Sequence, residues 1–252
     1  MTREQYAAEA VATLRKNLCE FPARFAKSVV INTPDAFHTA TTTLVNLGRG
    51  PLAITCDHVI RDFVERWSDG TAMIRIGNVR VSSTQLVAHD RDIDLAIIRL
   101  SHEQAADLVN EEGLPAEFYQ PSRWPPEPAK EEESVAIGGF PAQWRKVRHE
   151  TREIILPYYG IGATPVTSAS DRQFGCRFEQ ERWVWMSRAP ELDDLSMLGG
   201  LSGGPVFAER HLHRALIGIV TEHWKDANIM MMAHTHWIKE DGSLLLGKRP
   251  WL

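Results

Sequence analysis

The run Gly199-Gly200-Leu201-Ser202-Gly203-Gly204-Pro205-Val206-Phe207 holds the residues most suited to chemistry. Glycine reaches positive φ without a Cβ clash, so the backbone around Ser202 can curl until its amides converge on one point. Converging amides stabilise the oxyanion of a tetrahedral intermediate, and the N–H groups of Gly200 and Ser202 are the expected donors. A lone serine is a weak nucleophile and needs a base held by a third group. Two segments meet that demand. Ile54-Thr55-Cys56-Asp57-His58-Val59 ends a strand at a histidine, and Asp92-Ile93-Asp94-Leu95-Ala96-Ile97-Ile98-Arg99-Leu100 opens one with an aspartate. Taken singly, each has an ordinary reading: a Gly-Leu-Ser-Gly-Gly-Pro surface turn, a polar residue at a strand end, a turn acid. Taken together, His58, Asp94 and Ser202 make an acyl-transfer triad.

The elements that must position them are mostly strands. Residues 2–20 read as a helix, since Ala7, Val11, Leu14 and Leu18 fall on one stripe, with Thr2 and Gln5 spaced as a capping box and Phe21-Pro22 ending the pattern. From Phe25 the signal changes to short strands: Ser28-Val29-Val30-Ile31, Thr41-Thr42-Thr43-Leu44-Val45, Leu52-Ala53-Ile54-Thr55, residues 71–76, 79–87 and 94–100. Residues 59–67 and 102–113 read as short helical pieces. Pro115, Pro121, Pro125, Pro126 and Pro128, followed by Lys130-Glu131-Glu132-Glu133, resist helix and central strand alike and read as a linker. Strands resume at Ser134. The expected organisation is an N-terminal helix (1–24), a first β-barrel (25–114), a Pro-rich linker (115–133), and a second β-barrel with a C-terminal tail (134–252).

Composition narrows the class. Of 252 residues, 43% are hydrophobic and 24% charged, ordinary for a globular chain able to bury a core. A formal charge of −5 leaves no basic footprint for nucleic acid. The densest basic run, Arg145-Lys146-Val147-Arg148 with Arg152, is broken by Glu150 and Glu153 and reads as a solvated hairpin. Cys19, Cys56 and Cys176 are odd in number and hold no Cys-x-x-Cys pair, so they imply reduced thiols and a cytoplasmic location. The charged N-terminus lacks the apolar core of a signal peptide or membrane anchor.

With these segments in hand, the chain resembles the trypsin-like serine peptidases of the chymotrypsin fold, and within them the bacterial, disulfide-free branch that includes the HtrA proteases. The residues that carry the resemblance are Thr55-Cys56-Asp57-His58-Val59, Asp94-Leu95-Ala96-Ile97-Ile98, Val135-Ala136-Ile137-Gly138-Gly139-Phe140-Pro141, and Gly200-Leu201-Ser202-Gly203-Gly204-Pro205-Val206-Phe207 followed by Ile217-Gly218-Ile219-Val220. The resemblance implies an all-β protein of two antiparallel six-stranded barrels with the site in the cleft between them. It also implies a serine endopeptidase acting on polypeptides without metal or organic cofactor. The floor of a substrate pocket would lie near Ser196 and its wall near Thr221, Glu222 and His223, with Glu222 directed outward. Leu201 stands where digestive members carry an acid before the nucleophile, so activation by N-terminal processing is not expected. The 28 residues after Trp224 leave no room for an appended PDZ module.

Other readings stay open on sequence alone. Gly200-Leu201-Ser202-Gly203-Gly204 also satisfies the Gly-x-Ser-x-Gly elbow of α/β hydrolases, with Asp226 and His234 or His236 downstream, yet Gly203-Gly204-Pro205 is a poor helix start. His211 with His213, and His234 with His236, could present ligands on one strand face; no third ligand is evident, and solvent exposure is expected. Trp183, Trp185 and Trp224 read as packing for barrel edges. The chief alternative to an enzyme is a catalytically silent fold used as a binding or sensing module. Asp57, next to His58, could compete for its imidazole.

Overall fold

The computed structural model describes residues 3–111, 116–142, 146–148, 153–155, 158–178, 183–185, 199–210 and 213–245. Helix α1 (Arg3–Ala23) leads into β1 (Ala26–Asn32), β2 (Phe37–Asn46) and β3 (Pro51–Thr55). Two short helices, α2 (Asp57–Ile60) and α3 (Val64–Ser68), follow. Next come β4 (Met73–Ile76), β5 (Val79–Val81), β6 (Leu86–Asp90), β7 (Leu95–Arg99) and α4 (His102–Val109). Past the linker lie β8 (Ser134–Gly139), β9 (Lys146–Arg148), β10 (Glu153–Ile155), β11 (Tyr159–Ala169), β12 (Gln173–Arg177), β13 (Trp183–Trp185), β14 (Pro205–Arg210), β15 (His213–Trp224) and β16 (Ile229–His234).

The strands form two sheets. The first runs β5-β4-β1-β2-β3-β7-β6, seven strands whose two ends do not pair among the described residues, where a closed six-stranded barrel was expected. In the second, β12-β16-β15-β14-β8-β11 closes on itself through the β11–β12 pairing, making a six-stranded barrel with β13 added at β11. The basic run is the hairpin expected of it as far as it is described: Lys146 faces Ile155 and Arg148 faces Glu153. Arg145, Glu150 and Arg152 lie outside the described residues.

Strand residues that read as unbroken apolar runs serve two cores at once. In β3, Ala53 faces the interior of the first sheet while Leu52 and Ile54 face a core shared with the second. β7 repeats this with Ala96 and Ile98 inward and Leu95 and Ile97 toward the shared core. Alternate side chains point to opposite faces of a strand, so a strand covered on both sides must be apolar throughout. In β14, Val206 and Ala208 enter the second barrel while Phe207 enters the shared core.

Phe207 is the centre of that shared core. Its ring lies 4.9 Å from Phe21, 5.4 Å from Phe25 and 5.1 Å from Tyr119. These four residues come from α1, the start of β1, the linker and β14. Helix α1 thus docks on the body, as its stripe implies; Leu18 and Cys19 are buried, and Gly160 lets β11 approach Cys19 closely. The helix runs past Phe21 to Ala23 with Pro22 inside its last turn. The Thr2 cap and the side chains of Ala7, Val11 and Leu14 lie outside what is described.

The linker is tied down on both sides. Tyr119 donates from its hydroxyl to the Arg214 carbonyl at 2.8 Å, and its backbone N–H donates to Leu44 O at 3.0 Å. Arg210 grips the other end, donating to both Glu133 carboxylate oxygens and to the carbonyls of Glu127 and Pro128. Residues 235–245 then cross back to the first sheet. Ile238 and Leu244 pack into the shared core, and Gly242 lies against Leu52 and Ile97.

Phe207→Ala is expected to cost about 3–5 kcal/mol of stability by opening a cavity where both sheets meet. Urea denaturation followed by tryptophan fluorescence measures it, and a loss under about 1 kcal/mol, the range of surface changes, would contradict this central placement.

Candidate active site

The β6–β7 connection builds the acidic corner. The Asp90 carboxylate accepts from the N–H groups of Asp92 and Ile93 at 2.9 and 3.0 Å, closing a turn of the kind Asp forms with its own backbone. That turn ends at Asp94, whose φ of 54° lies in the left-handed region. Such a conformation is uncommon for a residue with a Cβ and persists where its surroundings hold it. Here the holding contacts are visible. Asp94 Oδ1 accepts the His58 N–H at 2.9 Å and Oδ2 accepts from His58 Nδ1 at 2.8 Å. The carboxylate therefore fixes both the backbone and the ring of His58, with the proton on Nδ1 and Nε2 left free to accept.

The Gly199–Gly204 turn is held by its carbonyls. Gly199 O accepts from Ala142 N at 2.6 Å, Leu201 O from Gly204 N at 2.8 Å and Ser202 O from Thr41 N at 2.9 Å. Gly200 O accepts from the Thr41 hydroxyl at 2.7 Å, and Gly203 O from the Thr43 hydroxyl at 2.8 Å. All five carbonyls from Gly199 to Gly203 thus have donors, while the N–H groups of Gly200, Leu201 and Ser202 have no acceptor among the described residues. Gly200 and Gly203 have φ of 96° and 95°, which only glycine adopts without strain. A Cβ on Gly203 would also collide with the Thr41 carbonyl oxygen. Ser202 Oγ donates to Thr221 O at 2.9 Å. Its hydroxyl is bonded there and not to His58.

A family model for the trypsin-like peptidase domain matches residues 40–219, over two thirds of the chain and all three of His58, Asp94 and Ser202. The chain belongs to the trypsin-like peptidase family.

Solved structures similar to this chain include several proteases and an inactivated protease paralogue of the scabies mite, all at low identity. The Rv3671c protease of M. tuberculosis in its active form is 16% identical, with 85% of this chain and 77% of that one covered and a TM-score of 0.43. The thermostable serine protease AL20 from an extremophilic microorganism is 14% identical, covering 84% and 91%, with a TM-score of 0.47. The protease Anisep of Arthrobacter nicotinovorans is 12% identical, covering 86% and 92%, with a TM-score of 0.47. No curated protein sequence matches. The architecture of this family member is mostly β, one closed six-stranded barrel beside an open seven-stranded sheet, with an N-terminal helix.

The tentative pocket residues are placed unevenly. Ser196 lies outside the described residues. Thr221 is buried and its hydroxyl donates to Met231 O at 3.1 Å. Glu222 is exposed and accepts from Trp224 Nε1 at 2.8 Å. His223 is half-buried against the Phe178 ring; burial, and then the charge of Lys225, holds its pKa below the usual imidazole value. Trp224 itself is 45% exposed, so it does not pack a barrel edge as its type suggests; it stands at the end of β15 with its ring N–H held by Glu222.

Asp57 does not compete for His58. Its side chain is buried and turned to two other partners, Arg61 Nη1 at 3.0 Å and His89 Nδ1 at 2.7 Å. Ligand-type atoms of Cys56, His58 and Asp94 come within 4.8 Å of one another. His58 and Asp94 are committed to each other, however, and the Cys56 thiol donates to Val220 O at 3.0 Å. Burial, reinforced by the Asp94 charge, pushes its pKa well up, so it stays a protonated thiol.

The histidine pairs depart from expectation. His213 is exposed and His211 lies outside the described residues, but His234 is fully buried. Its ring packs on Phe174 and His236, Nε2 donates to Ser170 O at 2.9 Å, and Nδ1 accepts from Ala129 N. It is a structural residue that pins the Ser170 turn and the linker to β16.

Sequence reasoning missed Thr41, Thr43 and Thr55 as parts of the site. The available signal was three consecutive threonines, 41–43, all fully buried on a strand where apolar residues are the norm.

Burial lowers the His234 pKa to about 4 from the usual 6.5. Between those values the unfolded chain binds a proton that the folded chain refuses, so stability is complete above about pH 6.5 and declines as the pH falls toward 4. The gap corresponds to about 3 kcal/mol. Burial moves His236 and His223 in the same direction. Urea titrations from pH 4.5 to 7.5 are expected to show this decline, and His234→Gln, which keeps a donor for Ser170 O, is expected to flatten it.

Proposed function

We propose that the chain is a serine endopeptidase that cleaves polypeptides through His58, Asp94 and Ser202. The observation that carries this reading is the pair of hydrogen bonds that His58 donates to Asp94 from its backbone N–H and from Nδ1, which leaves Nε2 as the ring's acceptor. In the first step the Ser202 hydroxyl turns from Thr221 O to His58, its proton passes to Nε2, and Oγ bonds to the peptide carbonyl carbon. The N–H groups of Gly200 and Ser202 receive the oxyanion. His58 gives its proton to the leaving amine as the C–N bond breaks, leaving an acyl ester on Ser202. Water then loses a proton to His58 and attacks the ester, and the ester C–O bond breaks as the proton returns to Ser202 Oγ.

Thr221, Glu222 and His223 would line the cleft beside this centre, with Ser196 at the pocket floor. The chemistry asks for neither metal nor organic cofactor, and no nucleic-acid or membrane partner is part of the proposal. All three cysteines are buried and outside any disulfide, which suits a cytoplasmic protein. Among the described residues no helix is long and apolar enough to cross a membrane.

A second reading rests on the Ser202–Thr221 bond. A hydroxyl held by a carbonyl is not engaged with a base, as would suit a cleft that binds polypeptide without cleaving it.

A fluorophosphonate probe separates the two. Labelling of the wild type, its loss in Ser202→Ala and His58→Ala, and a drop of about 10⁴-fold in Asp94→Asn are expected for the peptidase. Absence of labelling from pH 6 to 9 would favour the silent module.

A further inference from the structure

We infer that Thr41, on β2 of the first sheet, is a positioning residue that sets the oxyanion-binding turn of the second barrel. This rests on the peptidase reading and names the residue that gives the turn its shape. Thr41 Oγ1 has two partners, and their chemistry fixes its proton. The Phe140 N–H can only donate, and it reaches Oγ1 at 2.9 Å. The Thr41 hydroxyl must then spend its own proton on Gly200 O, at 2.7 Å. A single side chain from one sheet therefore ties together two backbone segments of the other.

Gly200 O belongs to the peptide plane between Gly200 and Leu201. The preceding plane, which carries the Gly200 N–H, is fixed from its own carbonyl by Ala142. The following plane, which carries the Ser202 N–H, is fixed through Leu201 O by Gly204. The Gly200–Leu201 plane between them is the only one of the three whose carbonyl partner comes from a side chain. Gly200, at φ 96°, has no Cβ to hold that plane sterically. Without the Thr41 hydroxyl the plane is free to flip, and a flip turns a carbonyl toward the point where two N–H groups should meet.

Two further contacts and full burial make Thr41 rigid enough for the task. Its N–H donates to Ser202 O at 2.9 Å and its carbonyl accepts the Thr55 hydroxyl at 2.8 Å. Gly139 has no side chain, which lets Thr41 Oγ1 and Leu201 Cδ2 both approach it; a Cβ there would lie 2.9 Å from each. Leu201 is itself buried, so the turn is held by hydrogen bonds from the first sheet and by an apolar side chain pointing into the second.

Thr41→Val keeps the shape and removes the hydroxyl, whereas Thr41→Ser keeps the hydroxyl and removes a methyl. The test is saturation kinetics of fluorophosphonate inactivation of the full chain, with folding checked by circular dichroism. In Thr41→Val the limiting inactivation rate is expected to fall about 10- to 100-fold, somewhat less than loss of a direct oxyanion donor, with half-saturation changed less than twofold. Thr41→Ser is expected to recover most of that rate. A purely structural role would lower thermal stability in both variants and leave the limiting rate of folded protein unchanged, which would overturn the inference. Should Thr41→Val not fold, Thr41→Ala replaces it under the same criteria. A wild type that labels through Ser202 alongside an unimpaired valine or alanine variant defeats this inference alone; a wild type that never labels defeats the peptidase reading beneath it.

Discussion

The site depends on one constraint: three of the five carbonyls of a glycine turn in the second barrel are satisfied by threonines of the first sheet. Thr41 donates from its hydroxyl and its N–H, Thr43 from its hydroxyl, and Thr55 holds Thr41 from behind. Buried backbone carbonyls require donors, and the other two take the N–H groups of Ala142 and Gly204. This arrangement turns an electrostatic obligation into geometry, because satisfying the carbonyls on one side of the turn leaves its N–H groups facing the other. The N–H groups of Gly200, Leu201 and Ser202 are free among the described residues for that reason.

Much of the architecture was legible in the sequence because it follows from local chemistry. Glycines flanking Ser202 announced a turn with positive φ, and Gly200 and Gly203 have it. The runs Leu52 to Thr55 and Leu95 to Leu100 announced strands, and the structure adds that both are covered on two faces, their side chains dividing between two cores. The Ser101 and Gln104 capping box opens α4 where a short helix was expected. What stayed hidden depends on tertiary partners. Within the run of three consecutive threonines, nothing local singles out Thr41 as the one that holds the serine turn. The burial of His234 requires knowing that Phe174, Ser170 and Ala129 converge on it, and the exposure of Trp224 reflects the end of β15. The openness of the first sheet depends on whether β5 and β6 meet, which strand propensity does not decide.

Two aspartates near His58 show how placement decides role. Asp94 sits in a strained left-handed conformation at a turn, partly open to solvent, and pairs with the imidazole through ring and backbone. Asp57 precedes His58 directly but lies on the buried side, where Arg61 and His89 hydrogen-bond to it. A buried carboxylate without such partners would be costly, so the two are a condition of its placement. Adjacent residues at the start of a helix point in different directions, and the nearer acid in sequence is the farther one in function.

Residues 235–245 return from the end of β16 to the first sheet, where Ile238, Gly242 and Leu244 settle among Leu52, Ile54 and Ile97. The chain thus crosses between the halves twice, once through the linker and once through this hook. Swinging the halves apart would pull that hook from an apolar socket and strip donors from the serine turn in the same movement. The molecule is accordingly built against opening as a hinge between its two halves.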